Sequence, residues 1–415
     1  MLEAFLSGLG RALNFLKRQK RNYRVAVVRS AANSFLANLT GQYSSIYTVG
    51  LGADSVELGT IGSIGGAVSA FLSTPIGWLV DRFGIKPFYI IGVFLLAGEA
   101  LLYALAKDWH ILIAAAILSS IAMRLNGTAC SVVCADSVKN RDRVTAQNLC
   151  VTFASLTSMI SPLLAASLVT LFGGMNVQGI RPLYYLRFAG YGFVLVFLFT
   201  QLEEIHHHHQ ARGEGPGFVA SFQELFAGRS YLPKWIVVAV LSSLPSAMTT
   251  SFFQLFAYEI KGADQYLLGA MTTATVVARL LFGLPLGRLA DRIGRKKVIY
   301  ILTPLWYASF GLLILSTAPW MLVVAAAFQV FYSISLGIVG AMSIELVNVE
   351  QQGRWSGLLN LFRSIVTVPA PFIGGLIWRD LGPIYVFLIP LVIDLVIKLP
   401  LLASVSESLQ PEATS

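Results

Sequence analysis

Ionisable side chains inside long apolar stretches are the residues of this sequence that could do chemistry. They are Arg29, Glu99, Arg124, Arg279, Arg363, Asp394 and Lys398. A charge in apolar surroundings is costly, so such residues usually pair with each other, carry protons or bind a charged ligand in a cavity. Arg29 and Lys398 stand near the ends of their stretches, where a long side chain can carry its charge to water. The others are candidates for ion pairs, proton binding or substrate binding.

Two of these candidates stand at matching depths in neighbouring stretches. Glu99 and Arg124 lie about 13 and 15 residues into consecutive stretches, so at about 1.5 Å per helical residue their depths agree within a few Å. Arg363 and Asp394 match similarly in the last two stretches. Each couple could be a structural ion pair. Arg279 has no acidic residue at its level, and an unpaired guanidinium is a good ligand for an anion.

The elements that position these residues are predicted to be membrane helices. The chain has 56% hydrophobic residues, 12% charged residues and a mean hydropathy of +0.70, whereas soluble domains have about 25% charged residues. Continuous apolar runs of about 20 residues span a bilayer as helices. The predicted segments are 25-50, 55-80, 87-106, 109-138, 144-173, 184-203, 232-258, 265-290, 298-317, 319-348, 353-379 and 383-404. The sequence therefore predicts an all-α integral membrane protein with twelve transmembrane helices.

The second half of the chain repeats the first. The sequence Gly-Arg-Leu-Ala-Asp-Arg-Ile-Gly-Arg-Lys-Lys at 287-297 has a weaker copy at 77-86, where Ile85 stands in place of an arginine. Outside this motif, Asp136 corresponds to Glu345 and Pro162 to Pro371. The repeat therefore extends over a whole half of the chain.

The repeated motif, between the second and third helices of each half, resembles that of the major facilitator superfamily of transporters. The resemblance implies two pseudo-symmetric six-helix bundles with a substrate site between them, opened alternately to each side by rocking. It also implies that the motif residues form a cytoplasmic gate. The predicted gating residues are Gly77, Asp81, Arg82, Gly84, Gly287, Asp291, Arg292, Gly294 and Arg295.

The resemblance also selects substrate contacts from the helices that line the cavity in this family. The predicted contacts are Arg124, Arg279, Arg363, Asn38, Gln42, Tyr43, Asn126, Gln254, Gln329 and Asn360, with Asn33 and Tyr332 as further polar candidates. Some of these side chains would make interhelical hydrogen bonds rather than bind substrate. Carboxylates that could carry protons are Glu99, Asp136, Asp394 and Glu345.

Two features resemble the drug antiporter branches of the family. Arg124 resembles the fourth-helix arginine associated with proton coupling, although the following glycine, Gly127, is one position too close. The segment 370-375 is similar to the antiporter motif rich in proline and glycine, and 161-166 is a weaker copy. Proline and small residues would suit a moving helix interface.

The distribution of basic residues predicts the topology. Most of the thirty Lys and Arg residues fall before the first helix, in the central linker and in the loops on the same side, which places both termini in the cytoplasm. The predicted parts are an amphipathic segment 1-24, a bundle 25-203, a linker 204-231, a bundle 232-404 and a tail 405-415. We expect a monomer in the plasma or inner membrane that binds no nucleic acid, because orientation accounts for the basic surplus.

The leading hypothesis is a secondary active transporter, a proton-coupled exporter of small organic molecules. An importer or exchanger of organic anions is the alternative, favoured by the unpaired arginine. A transporter-like sensor is the alternative from another class. No nucleophile with a base, no phosphate-binding loop and no Cys/His zinc pattern indicates an enzyme or a cofactor, so an ion gradient is the expected energy source. The histidines 206-209 are interpreted as a solvated linker tract, with metal binding as the alternative.

Overall fold

The computed structural model describes residues 15-16, 18-83, 86-138, 143-203, 231-347, 351-405 and 407. Within helices, the side chains of 73-83, 128-136, 143-144, 148, 231 and 353 lie outside the description. Among the described residues every regular element is a helix. The predicted all-α fold is therefore confirmed.

The helices of the first half follow one another through short turns. They are α1 (Arg21–Gly41), α2 (Ser44–Gly50), α3 (Ser55–Phe83), α4 (Lys86–Leu105), α5 (Ile111–Ser137), α6 (Arg143–Leu171) and α7 (Val177–Gln201). The second half holds α8 (Tyr231–Leu241), α9 (Leu244–Glu259), α10 (Gln265–Ile293), α11 (Arg295–Leu315), α12 (Pro319–Glu345), α13 (Gln352–Thr367), α14 (Ala370–Asp380), α15 (Tyr385–Ile393), a π-helical segment (Asp394–Lys398) and α16 (Leu399–Ala403).

Ten of the predicted membrane segments coincide, in the described part of the chain, with helices long and apolar enough to cross a bilayer. The first predicted segment is divided between α1 and α2. The fourth lies in α5, whose apolar portion is Ile111–Gly127. The chain is thus a multi-pass membrane protein, and these two segments account for the difference from the predicted twelve.

Two spanning segments of the second half are interrupted where proline enters the chain. The break between α8 and α9 precedes Pro245, and the break between α13 and α14 contains Pro369 and precedes Pro371. Proline has no N–H to donate to the preceding turn and its ring clashes with that turn, so the helix must break or bend. Backbone groups released at such breaks need partners from neighbouring helices.

The described residues group by contact into two compact units. One contains residues of Met1–Ser44 and Phe71–Gln210, and the other contains residues of Ser45–Ala70 and Ala211–Ser415. Chain order alone would assign Ser45–Ala70 to the first bundle. These residues group with the second unit because the first part of α3 packs closely against α14, as the next subsection shows.

Candidate functional site

A buried ion pair joins α4 and α7 inside the first unit. Arg187 donates from Nη2 to Glu99 Oε2 at 2.6 Å, and the two side chains are only 10% and 7% exposed. The second terminal nitrogen of Arg187 donates to Thr40 Oγ1 of α1 at 3.0 Å. Glu99 and Arg187 therefore tie three helices together through one guanidinium.

The predicted pairing of Glu99 with Arg124 is wrong. Arg124 is exposed, and the carboxylate faces α7 instead. Arg187 is not among the charged residues singled out from the sequence, because it lies only three residues after the start of the predicted segment 184-203. In the structure α7 begins at Val177, where the side chain of Asn176 accepts a hydrogen bond from the Gly179 N–H at 2.8 Å. That helix cap was the missed signal for a buried arginine.

A second buried arginine lies in the same unit. Arg29 is 4% exposed, and its guanidinium stands 4.4 Å from the centre of the Tyr89 ring. Its Nε and Nη2 have no hydrogen-bond partner in the described part of the chain. The prediction that Arg29 reaches water is wrong, because the side chain is enclosed and its guanidinium lies over the Tyr89 ring of α4. The aromatic face supplies part of the stabilisation that a counter-ion would otherwise give.

Polar bonds run along the contact between α1 and α6. Asn38 donates to Ser158 Oγ at 3.2 Å, and Gln42 donates to the Pro162 carbonyl at 3.1 Å. The hydroxyls of Thr157 and Ser161 donate to carbonyls of α1 at 2.9 and 2.6 Å. The amides of Asn38 and Gln42, predicted as substrate contacts, are therefore engaged between helices in this structure.

Other predicted contacts of the first unit occupy different surroundings. Tyr43 is fully buried. Asn126 is 8% exposed and packs against Gly92, and neither atom of its amide has a hydrogen-bond partner among the described residues. Asn33 accepts a hydrogen bond from the Tyr191 hydroxyl at 3.2 Å.

A second buried ion pair lies at the π-helical segment of the second unit. Lys398 Nζ stands 2.6 Å from Asp394 Oδ1, with side-chain exposures of 4% and 1%. The Tyr307 hydroxyl of α11 donates to Asp394 Oδ2 at 2.7 Å. Lys398 therefore does not reach the surface, and the predicted pairing of Asp394 with Arg363 is wrong. Residues four apart on one helix share a face, so the lysine is the nearer partner.

Tyr332 of α12 bridges the break between α8 and α9. Its hydroxyl donates to the Ser242 carbonyl at 2.6 Å and accepts from the Ser246 N–H at 3.3 Å. Both backbone groups come from the interrupted segment, so the phenol satisfies polar atoms that the break releases. Tyr332 is thus a structural residue as well as a candidate ligand.

Arg363 of α13 lies close enough to Tyr332 to interact with it electrostatically. The side chain is partly buried, and its Nε is enclosed without a hydrogen-bond partner among the residues described. The other predicted contacts of this unit are more open. Arg279 and Asn360 are exposed, Gln329 is half-buried, and half-buried Gln254 donates to Thr272 Oγ1 at 3.4 Å.

The second copy of the repeated motif forms a charged network. Arg295 Nη2 lies 2.5 Å from Glu345 Oε1 and 3.5 Å from Asp291 Oδ1. Glu345, predicted as a proton carrier, is therefore bound to a predicted gating residue. Asp291 and Arg292 are exposed and Gly287 is half-buried. The side chains of Asp81, Arg82 and Asp136, and the positions Gly77 and Gly84, lie outside the described side chains or residues.

The segment after α16 caps the helix that follows this motif. The carboxylate of Glu407 accepts hydrogen bonds from the backbone N–H groups of Arg295 and Lys296 at 3.1 to 3.4 Å. The Lys296 ammonium donates to the carbonyls of Ala403 and Val405, both at 2.8 Å. Gly294 adopts φ +104° at the helix start. A carboxylate at a helix N-terminus is favourable because the free N–H groups and the helix dipole both attract it.

Glycines bring the backbones of α3 and α14 together within the second unit. A Cβ at Gly59 would overlap the Pro371 carbonyl oxygen, and one at Gly375 would overlap the Ser55 carbonyl oxygen. Two hydrogen bonds join the helices: Ser55 Oγ donates to the Gly375 carbonyl, and Ser63 Oγ accepts from the Phe372 N–H, both at 3.1 Å. The small residues of segment 370-375 thus admit a packed helix, as their type suggested.

A multi-pass helical membrane protein with repeated charged hairpins and buried ion pairs has the features of a membrane transporter. The chain belongs to the Major Facilitator Superfamily, whose family model matches residues 26-268 and 236-408. The resemblance proposed from the repeated motif is confirmed.

Among curated proteins the chain is similar to the Hippocampus abundant transcript 1 proteins of Mus musculus and Homo sapiens. Each is 26% identical over 336 residues, which cover 77% of this chain. The matched region spans 65% of the length of these relatives.

Two solved transporters share the fold. The nucleoside transporter NupG has a TM-score of 0.71 at 16% identity, over 92% of this chain and 99% of that one. A bacterial homolog of the human lysosomal transporter Spinster, in an inward-facing and unoccupied conformation, has a TM-score of 0.65 at 16% identity, over 92% and 94%. At this identity the likeness shows the fold alone.

Proposed function

We propose that the chain is a secondary active transporter that moves a small organic molecule across its membrane by alternating access. The observation that carries this proposal is the contact between α3 and α14. Backbones meet there through glycine, with no ion pair between the two helices among the described residues. A close contact held by packing and a few neutral hydrogen bonds is tight when formed and costs only a few kcal/mol to open.

The ion pairs around Arg295, in the second copy of the repeated motif, also support the proposal. Arg295, bound to Asp291 and Glu345, lies at the turn between α10 and α11. With the orientation predicted from basic residues, this turn is cytoplasmic and the start of α3 is external. A transporter that works by alternating access needs a separable contact at each membrane face. The contact between α3 and α14 is our candidate at the external face, and the Arg295 network, which joins residues of one half, is our candidate for the charges that position the cytoplasmic gate.

Proton coupling and export are the finer part of the proposal. Glu99 is the candidate proton carrier, because protonation would remove the charge that holds Arg187 and so loosen the link between α4 and α7. Export is supported by the antiporter-like segment 370-375. These assignments extend the sequence resemblance and need a flux measurement.

An organic-anion importer or exchanger is the second candidate. It is favoured by Arg363, which makes no ion pair among the described residues, since the carboxylate of Asp394 is bound to Lys398 and Tyr307. A labelled organic anion driven by its own counter-gradient in proteoliposomes would distinguish exchange from proton-coupled export.

The contact between α3 and α14 is tested by Gly59→Leu. Its opening is measured by the chemical labelling of a cysteine introduced by Ser63→Cys. Ser63 is half-buried and accepts a hydrogen bond from the Phe372 N–H in the closed contact, so a Ser63→Cys protein should react more slowly with a membrane-impermeant maleimide when the contact is closed than when it is open. Leucine at 59 cannot fit beside the Pro371 carbonyl, so we expect labelling at 63 to rise several-fold and transport to fall.

The matched control is Gly66→Ala on the same helix, where a Cβ meets only ordinary contacts at 3.7 to 3.8 Å. It should leave labelling and transport unchanged. Equal labelling in the Gly59→Leu and Gly66→Ala proteins would contradict a separable contact at this place.

A further inference from the structure

We infer that Arg363 and Trp306, with the ring of Tyr332 as their apolar neighbour, form a binding site for the carboxylate of a monoanionic organic molecule. This inference deepens the proposed function, on which it rests, by naming the substrate class. It starts from unsatisfied hydrogen-bond donors that cluster around one phenol in the second unit.

Arg363 is the charged member of the site. Its Nε is enclosed without an acceptor, and the side chain makes no hydrogen bond or ion pair in the part of the chain that the structure describes. A guanidinium whose inner nitrogen is buried is costly unless an acceptor completes it. Its planar set of donors suits the two oxygens of a carboxylate.

Trp306 supplies a second donor. The residue is 1% exposed, its indole N–H has no acceptor among the described residues, and its ring makes an edge contact with Tyr332 at 5.3 Å between centroids. The Trp306 ring therefore packs on the Tyr332 ring, and Arg363 of α13 interacts electrostatically with the same tyrosine. The group that they lack is an acceptor, which a carboxylate provides.

The surrounding charges favour a single negative charge. Asp394 interacts electrostatically with Tyr332, but it is bound to Lys398 and to the Tyr307 hydroxyl. The lysine and the aspartate cancel each other, which leaves Arg363 as the net charge of this cluster. A monocarboxylate balances one cation, whereas a phosphate monoester would bring a surplus charge that must lose its water without compensation.

Neutral polar side chains on the same helix faces are placed to contact the rest of the substrate. Gln329 precedes Tyr332 by three residues on α12, and Asn360 precedes Arg363 by three residues on α13. Residues three apart share a face of a helix. These amides can bind neutral polar groups of the substrate, and the Trp306 and Tyr332 rings offer apolar surface.

The test uses the purified full chain in lipid nanodiscs with acetate, benzoate and 2-naphthoate, each compared with its neutral amide. We expect at least one carboxylate to raise the melting temperature saturably, and the amides to have no such effect. Arg363→Lys should weaken that binding more than tenfold, and Trp306→Phe should weaken it several-fold while the ring is retained. Arg379→Gln is the matched control on the same membrane segment, because Arg379 is exposed and pairs with Asp380.

Three results would overturn the inference. The first is that carboxylates and their amides have equal effects on the melting temperature, or that neither has a saturable effect. The second is that carboxylate binding is unchanged in both Arg363→Lys and Arg363→Gln. The third is that phenyl phosphate binds more tightly than benzoate. Failure of the proposed function is separable. Carboxylate binding that depends on Arg363, without uptake into proteoliposomes, would support the binding site and contradict the transport function. Uptake that depends on the contact between α3 and α14 but not on Arg363 would support the transport function and contradict the binding site.

Discussion

The two halves of the repeat bury an ion pair in related places but use it differently. In the first half, Glu99 of α4 binds Arg187 of α7, so the charge interaction joins two helices. In the second half, Lys398 occupies the position 211 residues after Arg187, but its carboxylate partner, Asp394, lies on the same helix segment. The link to the neighbouring helix there is the neutral hydroxyl of Tyr307.

The difference shows how one repeated architecture can divide its tasks. Protonating Glu99 would remove an interhelical ion pair, whereas protonating Asp394 would disturb one segment and a phenol bond. The π-helical stretch at Asp394–Lys398 marks this place as locally irregular, a feature often found at functional sites. The first half is therefore the better candidate for proton coupling, and the second half for substrate binding.

The largest expected effect comes from removing the carboxylate of the second half. Asp394→Ala leaves Lys398 buried without its counter-ion and deprives Tyr307 of its acceptor, so we expect a loss of about 3 to 5 kcal/mol in the free energy of unfolding. Denaturant unfolding in detergent would measure it. Adding Lys398→Met to the same protein should restore much of the loss, and a single variant as stable as the wild type would show that the pair contributes nothing.

A smaller effect is expected in the first half from Glu99→Gln, which keeps the shape and an acceptor but removes the charge. We expect a loss of about 1.5 to 3 kcal/mol, the value of a hydrogen bond to a charged group. A double-mutant cycle with Arg187→Met isolates the interhelical term. Additive single effects would mean that the two helices are not coupled through this pair, and the comparison of the halves would fail.

The smallest effect concerns a buried amide that links no helices. Asn126→Leu removes a side chain whose polar atoms have no described partner, so stability should stay within about 1 kcal/mol of the wild type or increase. Asn38→Leu is the control, because it loses the bonds to the Ser34 carbonyl and Ser158 Oγ. Thermal melting of both proteins distinguishes them, and a clear loss in Asn126→Leu alone would indicate an unseen partner of that amide.

The sequence determined the class of protein and the order of its parts. Long apolar runs require helices in a bilayer, since no other open structure satisfies the backbone there. The repeated motif at 77-86 and 287-297 indicated two related halves and the transporter family. Arg295 and Asp291 are only four residues apart across the Gly294 turn between α10 and α11, so closeness in the chain brings the two side chains together.

Only the tertiary structure decided which buried charges meet. Depth can be read from residue count, but the direction of a side chain depends on how its helix is rotated against its neighbours. Glu99 and Arg124 have matching depths, yet one faces α7 and the other is exposed. Helix ends mattered as well, because α7 begins at Val177, so Arg187 lies well inside the helix and not near its start. The i,i+4 spacing allows Lys398 to pair with Asp394, but only helix packing decided that this pair is buried and that Asp394 does not pair with Arg363.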